Sequence, residues 1–383
     1  MPSLFDLNIE EVLENWEVPH AIREVISNAL DEQTLTDSPD IEIAKDDEGR
    51  WHVRDFGRGI RIEHFTQNEN AEKLAAPTGV IGKFGVGLKD ALATFHRRGI
   101  GVDIRSPHGT FSLTTAPKAN FSGITTLHVA AEPANAAVDR GTDFILTGVT
   151  DEQMTEGKAL FLRFNDERTL DRTRYGDVLL RRGDAAKVYI SGVFAAEEPN
   201  FLYSYNVTHL TDAMRKRLNR ERLNVGRTTY AERIKSILRA AEAADVHEGL
   251  IDQILTRSAG DVRDEMNWIE IALHALTLLD QQDDVLFVTD REMRRNPDLM
   301  DHARADGLLI VVVTDAEKKK LVEQAAAGGP VTRLLETYLK EFNASFEYNF
   351  VSPDDLTPSE RAIFNLTPQL MALVAVDGDD APK

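Results

Sequence analysis

Residues 21–31 read Ala-Ile-Arg-Glu-Val-Ile-Ser-Asn-Ala-Leu-Asp. At about 100° per residue, a helix places Glu24, Asn28 and Asp31 on one narrow face. Ile22, Val25, Ile26, Ala29 and Leu30 fall on the opposite face. One side is built for a core, and the other presents carboxylate, amide and carboxylate in a row. Alone, such a stripe reads first as a solvated helix face. The segments that follow it change that reading.

Upstream, residues 5–16 carry Ile9, Val12, Leu13 and Trp16 at helical spacing, and Pro19 suits the first turn of the next helix. Downstream, Ile41 and Ile43 alternate, Asp46-Asp47-Glu48-Gly49 supplies a turn, and Trp51, Val53 and Asp55 alternate on one face. This hairpin leaves Asp55 at a strand end, followed by Gly57 and Gly59. Residues 61–81 have a poorer pattern, which fits a mobile lid or an ordinary surface loop. Gly82-Lys83-Phe84-Gly85-Val86-Gly87-Leu88-Lys89 then leads into a helix running to about His96. Free N–H groups at a helix N-terminus suit phosphate, and Lys83 and Lys89 add positive charge. The spacing is neither that of a P-loop nor that of a dinucleotide fingerprint. Strands are expected at about 101–106, 110–115, 124–130 and 142–147, the last opened by Gly141-Thr142. Residues 1–150 therefore read as an α+β layer of helices on a largely antiparallel sheet.

The ordered set E-x-x-x-N-A-x-D, D-x-G-x-G, G-x-x-G-x-G entering a helix, and G-T on a late strand resembles the GHKL ATPase superfamily. That superfamily includes DNA gyrase B, the heat-shock-90 chaperones, sensor histidine kinases and MutL. The wording of residues 81–92 is closest to a MORC-like branch. The resemblance covers about residues 20–150 and implies a Bergerat-type ATP-binding sandwich, with ATP and Mg²⁺ as cofactors. It implies Asn28 as the Mg²⁺ ligand, Glu24 as the residue that orients or deprotonates the attacking water, and Asp55 as acceptor for the adenine amino group. Gly57 and Gly59 would leave room for the base, and Thr142 would support the same end. Gly82, Gly85, Val86 and Gly87 would wrap the triphosphate, with Lys83 or Lys89 neutralising charge. Asp31 reads as a ligand or as a structural hydrogen bond behind the site. The resemblance also implies nucleotide-driven homodimerisation. The chain starts almost at the first motif, without room for a phosphoacceptor hairpin. Hydrolysis is therefore expected over kinase chemistry, with His20 an ordinary residue near a helix start.

Further along, Met154 to Phe164 is helix-like, and 187–207 reads as two strands around a Glu-Glu-Pro-Asn turn. Residues 215–233 gather Arg215, Lys216, Arg217, Arg220, Arg222, Arg227 and Arg233. Three readings stand: a phosphate sensor, a nucleic-acid surface, or a solvated helix face. The resemblance implies a transducer-like α/β middle domain whose basic residue reaches the γ-phosphate; Lys187, Arg220, Arg222 and Arg227 are candidates. Residues 228–279 read as several helices with apolar core stripes. Val285–Asp290 and Leu308–Asp315 each read as strand then helix, a small α/β domain on a parallel sheet. Asp290 and Asp315 stand where helix N-caps belong, or where strand-end carboxylates hold a metal or ligand. The expected domains are 1–150, 151–280, 281–350, and an extension at 351–383 that ends in a disordered DGDDAPK tail.

Composition limits the alternatives. A chain of 383 residues with 42% hydrophobic content supports two or three cores. A formal charge of −20 repels nucleic acid and anionic membranes except at a local basic patch. The chain has no cysteine, which removes disulfides, zinc–thiolate sites and thiol nucleophiles and fits a reducing cytoplasm. No run reaches the ~18 apolar residues of a membrane span. The expected function is Mg²⁺-dependent ATP binding and hydrolysis driving a conformational switch. The alternative is a nucleotide-dependent or DNA-associated interaction protein with little turnover.

Overall fold

The computed structural model describes residues 3–7, 16–65, 80–81, 86–118, 123–133, 138–212, 214, 226–257, 260, 262–282, 284–327, 332–345 and 351–374. The chain divides into two compact units, Met1–Gln282 and Asp283–Lys383.

Helix α1 (Val18–Thr36) carries the opening stretch. Pro19 lies in its first turn, where its fixed φ suits a helix and its missing N–H costs nothing. The Glu17 N–H donates to His20 Nδ1 at 3.0 Å, closing a reciprocal cap. Burial, helped by Arg23, lowers the His20 pKa, which suits a ring that must keep this nitrogen unprotonated. Asp37, at φ 50°, ends the helix in the left-handed region. Ala21, Ile22, Val25 and Ile26 are fully buried, as their helical spacing requires.

The first sheet comprises β1 (Ser3–Asp6), β2 (Glu42–Lys45), β3 (Trp51–Arg54), β4 (Gly101–Ser106), β5 (Gly109–Pro117), β6 (Thr125–Glu132) and β7 (Asp143–Thr147). Its order is β1-β6-β5-β4-β7-β3-β2, and every neighbouring pair is antiparallel. Helices α2 (Val86–Arg97) and α3 (Asp151–Ala159) pack against α1. Ile22, Ile26, Leu92, Phe95, Phe144 and Leu146 share one core, which continues through Met154 and Phe161. This is the α+β layer expected from the sequence.

One expectation fails at the start of the chain. Helical spacing predicts a helix over 5–16, but Ser3–Asp6 is a strand paired with β6. Phe5 packs against the core and Leu4 is left exposed. The Thr126 hydroxyl donates to Asp6 at 3.0 Å and fixes the register. The sheet edge offers these residues backbone partners, which outweighs the helical pattern beyond them. Residues 8–15 lie outside the described residues.

A second sheet holds β8 (Thr169–Thr173), β9 (Gly176–Leu179), β10 (Ala186–Ile190), β11 (Val193–Glu198) and β12 (Ser204–Val207), in the order β11-β10-β12-β9-β8. The expected turn is present at Pro199–Asn200, where the Phe201 N–H donates to the Glu198 carbonyl at 3.4 Å. A further reversal, not expected, falls at Ser191 and Gly192, with φ of 51° and 78°, and β11 runs on through Glu198. The 187–207 stretch thus supplies three strands. Helices α4 (Arg227–Ala240) and α5 (Ala244–Thr256) pack on this sheet, and α6 (Ile269–Gln282) packs on both. Glu265 is fully buried at this junction; its carboxylate accepts the Leu202 N–H at 2.8 and 2.9 Å and the Tyr205 hydroxyl at 2.8 Å.

In the second unit, β13 (Val285–Thr289) and β14 (Leu309–Val313) pair in parallel. Packed on them are α7 (Asp290–Arg295), α8 (Pro297–Ala305), α9 (Asp315–Ala326) and α10 (Leu335–Ala344), and α11 (Pro358–Val374) follows in sequence. The caps fall one residue earlier than expected. Thr289 and Thr314 accept the N–H groups of Glu292 and Glu317, each at 3.2 Å. Those glutamates return the bond to the threonine N–H at 2.8 Å. Asp290 and Asp315 occupy the first helical position instead, where their charge suits the helix dipole. The DGDDAPK tail lies outside the described residues. Among the described residues, no helix is long and apolar enough to cross a membrane.

Candidate functional site

Antiparallel pairing of β3 with β7 brings Asp55 beside Thr142. The Asp55 N–H donates to the Thr142 carbonyl at 2.9 Å. The Asp55 side chain is only 4% exposed. Its Oδ1 accepts the Gly57 N–H at 2.9 Å. The Thr142 hydroxyl accepts the Ile60 N–H at 3.0 Å and hydrogen-bonds the Asp55 carboxylate. Burial pushes the Asp55 pKa up to about 6, against the Gly57 N–H and with help from the Glu32 charge.

Gly57 and Gly59 also have a reason within the protein itself. A Cβ on Gly57 would lie 2.7 Å from Glu32 Oε1, and one on Gly59 would lie 2.7 Å from Pro107 Cδ. Gly59 and Gly141 also have φ of 85° and 77°. A side chain at Gly141 would overlap the Asp55 carbonyl. These glycines let the loop fit the protein's own helix and turns. The Ser106 hydroxyl fastens the far side, donating to the Ile60 carbonyl at 2.7 Å.

Helix α1 supplies the second wall. Asp31 is fully buried, and its Oδ1 accepts the Ile81 N–H at 2.6 Å. A helix carboxylate therefore holds the residue immediately before the Gly82–Gly87 loop. Glu24, 8% exposed, takes Arg23 Nη2 at 2.7 Å and Nε at 3.2 Å on its Oε1. Arg23 is itself buried and stacked on Trp16, 5.4 Å from the ring centre. Asn28 is half-buried one turn further on. Gly87 and Lys89 lie in the first turn of α2, buried and half-buried respectively. Gly82, Lys83 and Gly85 lie outside the described residues, as does the Val86 side chain. Of the expected lid, 62–65 is a short 3₁₀ turn and 66–79 lies outside the described residues.

Two contributors escaped the sequence reading. Glu32 takes Arg58 through both oxygens, with Nε and Nη2 each at 2.9 Å, and also accepts the Arg58 N–H at 2.9 Å. The pair fastens the Asp55–Gly59 loop to α1. The signal was present: Glu32 continues the Glu24–Asn28 stripe by one more turn, and Arg58 lies between the two glycines.

The middle-domain candidates separate. Arg227 pairs with Glu198, at 2.9 Å through Nε, and with Asp264 at 2.7 Å, over the Phe201 ring. Tyr230 donates to the same Glu198. Arg227 is therefore a structural rivet between β11 and the segment before α6. Lys187 stands 3.4 Å from the buried Glu167 carboxylate. Arg233 lies over the Tyr175 ring, 5.4 Å from its centre. Residues 215–225, and with them Arg220 and Arg222, lie outside the described residues.

The five-stranded region corresponds to a known family. A family model described as the Mycoplasma pneumoniae MPN635 N-terminal domain matches residues 152–244. An uncharacterized protein of Mycoplasma pneumoniae is 34% identical over 241 residues, covering 62% of this chain and 96% of that protein. The chain belongs to that protein's family. A second uncharacterized Mycoplasma pneumoniae protein is 25% identical over 158 residues; the chain spans 44% of its length. Within the family-matched segment lie β8 to β12 and α4, whereas the Asp55–Thr142 site precedes it.

Proposed function

We propose that the chain is a GHKL-type ATPase, binding Mg²⁺·ATP between α1 and the Asp55–Thr142 strand ends. The observation that carries this reading is convergence. Four stretches far apart in sequence (21–32, 55–60, 80–81 and 141–142) are tied to one another by Asp31–Ile81, Glu32–Arg58 and Asp55–Thr142. Resemblance alone predicts the residues; their bonding to one another is independent support.

The donor set fits the group. A carboxylate has about four lone-pair positions, and Asp55 uses one for Gly57 and one for Thr142. Capacity remains for an amino group on a heterocycle in a site shielded from water. Asn28 offers an amide oxygen, and Mg²⁺ on a nucleotide commonly takes one or two protein ligands, with phosphates and waters completing its shell. When bound, the metal and nucleotide would supply an activated γ-phosphoryl group. The chain's own part is to hold geometry. Asp55 and Thr142 orient the base, and Asp31 positions the start of the glycine-rich loop. Glu24 aims a water across one helical turn from Asn28. Lys89 adds positive charge from the first turn of α2.

The expected outcome is that Glu24→Ala retains ATP binding and loses turnover, whereas Asp55→Asn weakens binding. Both are measured with purified protein by nucleotide titration and phosphate release. Wild-type turnover in Glu24→Ala would remove the assignment. The Arg23–Glu24 bond favours a second reading. With Oε1 taken by two bonds from the buried Arg23 guanidinium, Glu24 has less acceptor capacity left for an attacking water, and that suits a nucleotide-dependent switch with slow turnover. In that case light scattering detects ATP-driven dimerisation at a nucleotide concentration where phosphate release is negligible.

A further inference from the structure

A cleft beside β8, β9 and α5 has no part in the nucleotide reading. It encloses about 480 Å³, within the roughly 300–1,000 Å³ range of small-molecule sites. Three guanidiniums border it, those of Arg168, Arg181 and Arg263, against the single carboxylate of Asp245. Arg168 and Asp245 pair with each other at 3.2 Å, both well exposed.

Arg181 is held differently. Its Nη1 donates to the Phe201 carbonyl at 2.8 Å, and its Nη2 donates to the carbonyls of Pro199, at 3.0 Å, and Asp184. Three carbonyls fix its direction and none cancels its charge. Among the described residues, no carboxylate pairs with Arg181. The same holds for Arg263, whose side chain makes one long bond of 3.4 Å to Asn200 Oδ1. The chain carries 64 acidic residues against 44 basic ones. In such a chain, two guanidiniums on one cleft, that of Arg181 fixed in direction and that of Arg263 loosely held, with no carboxylate partner among the described residues, call for an external anion. The remaining wall is apolar. Leu170, Leu180 and Leu202 line it, and Tyr203 spends its hydroxyl on the Val246 carbonyl at 3.0 Å.

We propose that this cleft binds a small molecule in which a phosphate or carboxylate is joined to an apolar body. The anion sits on Arg181 and Arg263, and the body lies against the leucines. Calorimetric titration of the full chain with phenyl phosphate, benzoate and inorganic phosphate tests this. One of the two aromatic probes gives a saturable single-site isotherm at least tenfold tighter than inorganic phosphate; the tighter probe identifies the anion. Arg263→Leu removes a cation that has little structural work to do. Leu180→Glu places a carboxylate on the wall at an exposed position. Each weakens the aromatic probe at least tenfold, with a wild-type circular dichroism melt. The proposal is overturned if neither aromatic probe binds saturably, if inorganic phosphate binds as tightly, or if both folded variants retain the affinity.

Discussion

Asp31 on α1 accepts the Ile81 N–H at 2.6 Å, so a buried helix carboxylate anchors the entry to the glycine-rich segment. Of the alternatives open for Asp31 in the sequence, the structural bond is present, made to the main chain. Asp31→Ala leaves the Ile81 amide without this acceptor, at a cost of about 1–3 kcal/mol. Asp31→Asn keeps an acceptor oxygen and is milder. Nucleotide affinity is expected to fall in the same order. Denaturant unfolding and nucleotide titration of the two variants measure both effects; equal affinity in Asp31→Ala and wild type would separate the loop from this anchor.

The Asp55 carboxyl makes stability depend on pH in a defined direction. Its pKa is about 6 folded, against 3.8 for the ordinary group. Below 3.8 both states are protonated and no penalty applies. As pH rises towards 6 the unfolded chain releases its proton first, and folding stability falls. Above 6 the loss is complete, at about 3 kcal/mol. Asp55→Asn does not titrate. Its stability advantage over wild type therefore grows by about 2 kcal/mol between pH 4.5 and 7.5. Urea melts at both values read this directly, and a pH-independent gap contradicts it. Wild-type nucleotide affinity falls as pH drops through 6, because the protonated carboxyl loses acceptor strength.

Gly57 and Arg58 are neighbours with unequal consequences. A methyl at Gly57 must displace Glu32, and overpacking of this kind costs about 1–3 kcal/mol. The Arg58 side chain is 51% exposed, so its ion pair with Glu32 contributes about 0.2–1 kcal/mol. Gly57→Ala should lower the melting temperature clearly and weaken nucleotide binding. Arg58→Ala should lower the melting temperature little. Thermal melts of the two variants side by side decide the point.

Arg227 distinguishes a rivet from a phosphate sensor. Its removal leaves the Glu198 carboxylate, 6% exposed, without its cation. Because the Arg227 side chain is 44% exposed and Glu198 keeps the Tyr230 hydroxyl, the loss is that of a screened, partly buried pair, about 1–2 kcal/mol. Arg227→Ala is expected to lower the unfolding free energy by that order and to leave phosphate release per folded molecule unchanged. A selective loss of turnover in a stable variant would return Arg227 to the active site.

The residues legible in the sequence are those set by local rules. Helical spacing at 21–31 gave both the buried and the polar face of α1, and alternation at 51–55 gave a buried Asp55. Pairing across the sheet was not legible, because nothing near Asp31 names Ile81 and nothing near Glu32 names Arg58. The departure at residues 5 and 6, the first of the helix expected over 5–16, has the same origin: a sheet edge more than one hundred residues away decided the conformation of Ser3–Asp6. The glycines were recognised, but the protein atoms that crowd them, the Glu32 side chain at Gly57 and Pro107 at Gly59, were not. The aspartates after β13 and β14 were displaced by threonine, whose hydroxyl made the cap one position earlier.

The position of β7 between β3 and β4 sets an order of assembly. β2 and β3 can form a hairpin early, and β4 to β6 can form a meander, each from nearby residues. Neither joins the other until Asp143–Thr147 has emerged and paired with both. Such long-range closure is slow compared with local pairing. On a ribosome, the pocket that holds Asp55 beside Thr142 is therefore completed by the last strand of the sheet to be synthesised. Until then a β2–β3 hairpin or a β4–β6 meander, where either forms, leaves its inner edge unpaired, and those edges are the ones a holding chaperone would need to cover.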